Sequence, residues 1–196
     1  MSERLEPIFD DATAEGLVAA AGLVAEIANR LENPPFGCLL VQKTEEGARV
    51  VEFGENTTYL TGDAMEHAEM RALKEAQKLR GDRNIDLSTC ALVANIESCP
   101  GCFCFALKSG IEYFYFGGHT EETAQPYIPL SLMVDTMRKP IHLWYSGVGF
   151  WEEHVKNARR GGIANVSARV LLAESHANHL VNREEPELRD LRWPVT

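Results

Sequence analysis

At 196 residues, with 45% apolar and 24% charged side chains, the chain is long enough for one domain with a substantial core and too apolar to be disordered. The formal net charge of −10, from 29 acidic against 19 basic residues, argues against extended contact with nucleic acid, where phosphate neutralisation dominates affinity. No apolar run approaches the roughly 20 residues that cross a bilayer, and the first residues lack a basic-then-apolar secretory layout, so a cytoplasmic setting without membrane contact is expected.

From about Asp11 to Glu32, the residues Leu17, Ala20, Ala21, Val24, Ala28 and Leu31 recur at helical spacing. Asn33-Pro34-Pro35 ends that helix, because proline removes a donor and restricts the residue before it. Phe36–Gln42 and Arg49–Phe53 are short apolar runs on either side of the polar turn Lys43–Gly47, which reads as a hairpin. After a loop near Gly54–Gly62, Asp63 is expected to cap a second helix with Glu66 three residues on. Met65, Ala68, Ala72, Leu73, Ala76 and Leu79 form its apolar face, and Gly81-Asp82 closes it. A strand near Thr89–Ala94, a helix running to about Ser109 and a strand at Ile111–Phe116 follow. Beyond Gly117-Gly118, Ile141–Tyr145 reads as a strand and Val166 to about Asn182 as a helix. This alternation predicts a layered α/β fold, a sheet covered by helices.

Cys99, Cys102 and Cys104 crowd into six positions, which suits a metal or catalytic site better than a disulfide framework. His67-Ala68-Glu69-Met70 lies near the start of the second helix, and Glu97-Ser98-Cys99-Pro100-Gly101-Cys102 at a strand–helix junction. One imidazole and two thiolates suit zinc, and three protein ligands leave a fourth position for water. Cys99 and Cys102 stand three apart at a helix start, so both sulfurs can face one point. Two converging helix N-termini would help to keep the thiols ionised. Glu69 can then take a proton from a zinc-activated water and return it to a substrate nitrogen.

The order H-A-E followed by C-x-x-C, with Cys99 32 positions after His67, resembles the cytidine deaminase superfamily, whose signature is H-x-E and then P-C-x-x-C. Pro35-Phe36-Gly37 looks like the P-F-G or P-V-G segment of its guanine, cytosine and tRNA adenosine deaminase branch. The resemblance implies a three-layer α/β/α sandwich with a central mixed five-stranded sheet. It implies residues 1–118 as the zinc-dependent catalytic core, with 119–196 as a C-terminal extension that packs on it as a pocket lid or dimer contact. It further implies one Zn2+ per chain with a bound water or hydroxide, held by His67, Cys99 and Cys102, with Glu69 catalytic. Asn56, Phe36, the backbone at Ala68 and the backbone around Ser98 are the implied substrate contacts, and a homodimer is the implied assembly. The chain departs from the family at Ser98, where proline is usual, and at Pro100-Gly101 between the cysteines.

Cys104 is expected in the core, as are Cys38 and Cys90. His176 and His179 with Glu174 are read as a solvated helix face rather than a second metal pair. His119 borders the pocket in the resemblance and is a candidate substrate contact beside a plain surface-turn reading. Among Trp144, Tyr145, Phe150 and Trp151, packing is expected for most, with one as a lid. The expected reaction releases ammonia from an amino-bearing nucleobase or related small heterocycle, guanine-like or cytosine-like. A tRNA adenosine deaminase, a nucleoside deaminase and a non-enzymatic deaminase-fold partner subunit stand as alternatives. Glu121 and Glu122 are candidates for the acidic residue with which guanine deaminases read their base.

Overall fold

The computed structural model of the chain describes residues 5–83, 85–119, 129–137, 139–146 and 192–194. Helix α1 (Asp11–Arg30) begins where the Asp10 carboxylate accepts the Thr13 N–H at 2.7 Å. It stops just short of the expected end, with Glu32 taking a left-handed φ of 60° ahead of the two prolines. Strands β1 (Gly37–Thr44) and β2 (Gly47–Glu55) pair antiparallel about Glu45-Glu46, the expected hairpin. A single turn of helix, α2 (Thr58–Thr61), precedes α3 (Ala68–Arg83). Then come a 3-10 turn at Leu87–Thr89, β3 (Cys90–Ile96), α4 (Pro100–Ser109), β4 (Tyr113–Gly118), α5 (Leu130–Thr136) and β5 (His142–Tyr145).

The sheet runs β5-β4-β3-β1-β2, mixed as expected: β4 lies parallel to β3 and to β5, while β1 is antiparallel to both β2 and β3. A short sixth strand, β6 (Arg192–Pro194), adds antiparallel to the outer edge of β2. Strand side chains alternate between two buried faces. Leu39, Val41, Ala91, Val93 and Tyr115 meet Leu17, Val18, Ala21 and Val24 of α1. Leu40, Leu92, Ala94, Phe114 and Phe116 meet Ala72, Leu73 and Ala76 of α3 with Phe103 and Ala106 of α4. Helices on both faces give the three layers.

Two glycines set how closely helix and sheet approach. A Cβ at Gly37 would stand 2.3 Å from the Ala21 carbonyl oxygen on α1. One at Gly54 would stand 2.2 Å from the Ala68 carbonyl oxygen on α3. Backbone touches backbone at both positions, which leaves no room for a side chain.

Three expectations need correction. Helix α3 starts at Ala68, so Asp63 does not cap it; its carboxylate instead accepts the Met65 N–H at 2.8 Å in a preceding turn. Met65 therefore precedes the helix and is 54% exposed rather than part of the apolar face. Cys104 is exposed, because α4 turns Cys102, Phe103 and Ala106 inward and Cys104 falls on the other side. Cys38 and Cys90 are buried as expected. The expected helix from Val166, the His176/His179 pair, Phe150, Trp151, Glu121 and Glu122 lie outside the described residues.

Candidate metal centre

The cysteine side of the site is a helix start. Cys99 is the N-cap of α4, with extended backbone (ψ 155°), and its sulfur accepts the Cys102 N–H at 3.4 Å. Pro100 follows at the first helical position, where its missing N–H leaves no bond unmade. Gly110 ends the helix in the left-handed conformation (φ 103°). The geometry that caps the helix thus brings both sulfurs to one side of its first turn.

The histidine side comes from the residue before α3. His67 Nδ1 lies 3.6 Å from Cys99 Sγ and 3.4 Å from Cys102 Sγ, and the three donor atoms fall within 4.8 Å of one another. Two ligands of a tetrahedral zinc, one nitrogen at about 2.0 Å and one sulfur at about 2.3 Å, stand about 3.5 Å apart. The donor set fits zinc in both chemistry and spacing.

Electrostatics in this corner point the same way. Cys99 is held down to about 4, first by its hydrogen bond with the Cys102 thiol, then by His67 and the Cys102 N–H, against the opposing effect of burial. Cys102 is pushed far up, since the neighbouring Cys99 keeps a proton between the two sulfurs and burial disfavours a second charge. His67 is raised, chiefly by its hydrogen bond to Cys99. A divalent cation would replace that shared proton and ionise both thiols.

Glu69, in the first turn of α3, is 7% exposed. Burial, and then the Cys99 charge, raise its carboxyl above the ordinary range, offset in part by its own N–H, the Ser98 hydroxyl and His67. Ser98 itself is buried, and its hydroxyl makes no geometrically regular hydrogen bond. Ala68 opens α3 and is buried.

Asn56, at the end of β2, is buried, and its carboxamide oxygen accepts from both the N–H and the hydroxyl of Thr58 at 3.0 and 2.8 Å. The Asn56 N–H donates to the Phe36 carbonyl at 3.0 Å, so Phe36, half-buried against the core, anchors that loop.

His119 is half-exposed, stacks on Tyr145 with ring centroids 4.1 Å apart, and its Nδ1 lies 3.9 Å from Glu97 Oε2. Glu97 was not singled out by sequence, yet it is a junction. Its Oε1 accepts the Leu130 N–H at 2.7 Å and the Tyr145 hydroxyl at 2.8 Å, fastening α5 and β5 to the residue two before Cys99. Trp144 packs on the α1 side and donates Nε1–H to Asp11 at 3.0 Å, so neither it nor Tyr145 is a loose lid. Nothing in the sequence distinguishes a buried Glu97 from a solvated one.

Comparison with known proteins matches the chain to a family. A family model described as the cytidine and deoxycytidylate deaminase zinc-binding region matches residues 12–118, more than half of the chain. A guanine deaminase from Bacillus subtilis is 34% identical over 86 residues, which is 44% of this chain and 51% of that protein. A tRNA(Ile)-lysidine synthase from Deinococcus deserti is 31% identical over 112 residues, which is 56% of this chain but 19% of that protein. The chain thus spans from about a fifth to about half of the length of these curated relatives. The solved guanine deaminase of Nitrosomonas europaea superposes with a TM-score of 0.54 over 67% of this chain and 76% of that one, at 19% identity, a likeness of fold.

Proposed function

The chain belongs to the family of the cytidine and deoxycytidylate deaminase zinc-binding region, and on that premise we propose that it is a zinc-dependent hydrolytic deaminase of an amino-bearing nucleobase or related heterocycle. The observation that carries the reading is the triangle of His67, Cys99 and Cys102 beside a buried acidic residue, Glu69. A zinc ion in such a site supplies Lewis acidity that makes a water reactive at neutral pH. Glu69 accepts that water's proton and delivers it to the departing amino group. A C–O bond forms at the ring carbon, the C–N bond breaks, and ammonia leaves. A carboxyl raised toward neutrality exchanges protons in both directions more readily than one of ordinary acidity. The Asn56 amide, the Ala68 N–H, the backbone around Ser98, Phe36 and His119 are the groups that would orient the ring.

A guanine-like or cytosine-like free base is favoured. The guanine deaminase relative and the net charge of −10 support it over an RNA substrate. No helix among the described residues is long and apolar enough to cross a membrane. A homodimer in the cytoplasm, with residues 1–118 as the catalytic core and 119–196 as an extension beside the pocket, completes the proposal.

The test is ammonia release by zinc-loaded protein against purine and pyrimidine bases, their nucleosides and an RNA stem-loop. Glu69→Ala is expected to hold about one zinc per chain and to lose roughly 10²–10⁴-fold in rate. Full activity in Glu69→Ala refutes the mechanism, and stoichiometric metal in His67→Ala refutes the ligand set.

A further inference from the structure

Arg71 stands one turn past His67 on α3, and its guanidinium reaches side chains on either side of the site's two loops. Nη2 lies 2.9 Å from Glu55 Oε1, while Nη1 donates to Thr57 Oγ1 at 2.9 Å and lies 3.7 Å from Glu66 Oε2. Glu55 and Thr57 flank Asn56, and Glu66 precedes His67. The Thr57 N–H also donates to the Glu66 carbonyl at 3.0 Å, and Lys74 holds the Glu66 carboxylate at 2.8 Å. One planar cation therefore joins both ends of the irregular stretch between β2 and α3.

Glu55 is fully buried. Attraction within a buried ion pair does little more than offset the cost of taking both charges out of water, so such a pair is a poor device for stability alone. The hydrogen bond from Nη1 to Thr57 Oγ1 does fix direction, because a guanidinium donates along set angles that an apolar contact would not impose. The direction fixed here is that of the turn carrying His67.

We propose that Arg71 is a positioning residue for the metal centre: by tying Glu55 and Thr57 at the end of β2 to Glu66, it sets where the His67 imidazole stands relative to the two cysteine sulfurs. The proposal rests on the zinc-site reading above.

Zinc release from the loaded full-length chain into an excess of a colorimetric chelator tests it, with the urea midpoint of the metal-free protein measured alongside. Groups that orient metal ligands typically change affinity by 10–100-fold when removed, so Arg71→Met is expected to release zinc about tenfold faster. Because that variant strands the Glu55 charge, the double variant Glu55→Gln with Arg71→Met is measured too. It is expected to fold and still release zinc faster than wild type, whereas a purely structural role would restore both readings. Arg71→Lys, which keeps the charge and loses the fork, is expected to fall between. Lys78→Met, at an exposed ion pair on the same helix, serves as a control with unchanged release. Wild-type release rates in the folded double variant, or in Arg71→Lys should the double variant not fold, overturn the proposal. Wild-type protein that takes up no zinc overturns the metal reading itself, and this proposal with it.

Discussion

Cys99 and Cys102 reach the centre from one turn of α4, where a single helix start places both sulfurs. His67 arrives by another route, at the end of the connection from Asn56: its carbonyl accepts the Arg71 N–H, and the Glu66 carbonyl before it accepts the Thr57 N–H. The first side is local: both sulfurs come from a single helix start, on its N-cap and in its first turn. The second depends on pairs far apart in sequence, and on α3 lying against β2 at Gly54. A metal site assembled in this way has one pre-formed half and one half that the tertiary fold must deliver.

The largest break in that contrast is Cys102→Ala. It removes a ligand but leaves the capping sulfur of Cys99 in place, so zinc should fall to well under one per chain while the far-UV circular dichroism stays that of wild type. Two remaining donors do not make a closed zinc site. Metal retained at stoichiometry would show that the cysteine pair is not acting as a unit.

Gly54→Ala strikes the delivered half. Its Cβ would stand 2.2 Å from the Ala68 carbonyl oxygen and 2.8 Å from the Ala72 nitrogen, both backbone atoms, so α3 must move off β2. Overpacking of this kind costs about 1–3 kcal/mol, read as a lower urea midpoint, and zinc release should quicken with it. An unchanged midpoint would mean that the helix tolerates a shift and that the histidine side is less tightly set than described. Gly101→Ala is the smallest change and has the opposite sign. Its Cβ would meet nothing nearer than Cys99 Sγ at 3.8 Å, and alanine in an early helical turn is favoured over glycine by up to about 1 kcal/mol. A slightly raised midpoint with unaltered zinc release is expected from the same measurement.

The same division governs what the sequence disclosed. The cysteine half was legible because C-x-x-C at a strand–helix junction determines its own geometry, and α1 and the hairpin because apolar spacing and the prolines mark them. The start of α3 was misplaced. Asp63 and Glu66 have the residue types of a capping box, but Asp63 bonds to Met65 inside a turn and Glu66 turns to Arg71 and Lys74. The Asp63 bond closes a local turn two residues long, and the partners of Glu66 lie further along α3, so neither residue makes the reciprocal bonds of a capping box. Cys104 shows a milder failure: the tendency of free cysteine to be buried gave way to the position of the buried face on α4, set by Phe103 and Ala106. Glu55 and Glu97 read as ordinary surface acids until the sheet closes over them.

One atom at this centre has two employers. The sulfur of Cys99 is both a candidate metal donor and the group that receives the Cys102 N–H in the first turn of α4. An alkylating reagent or an oxidant that occupies it would evict the ion and loosen the helix start in a single event. Chemical injury to the centre should therefore register in the backbone as well as in the metal content, and a chain so damaged would differ in shape from one that has merely lost its zinc.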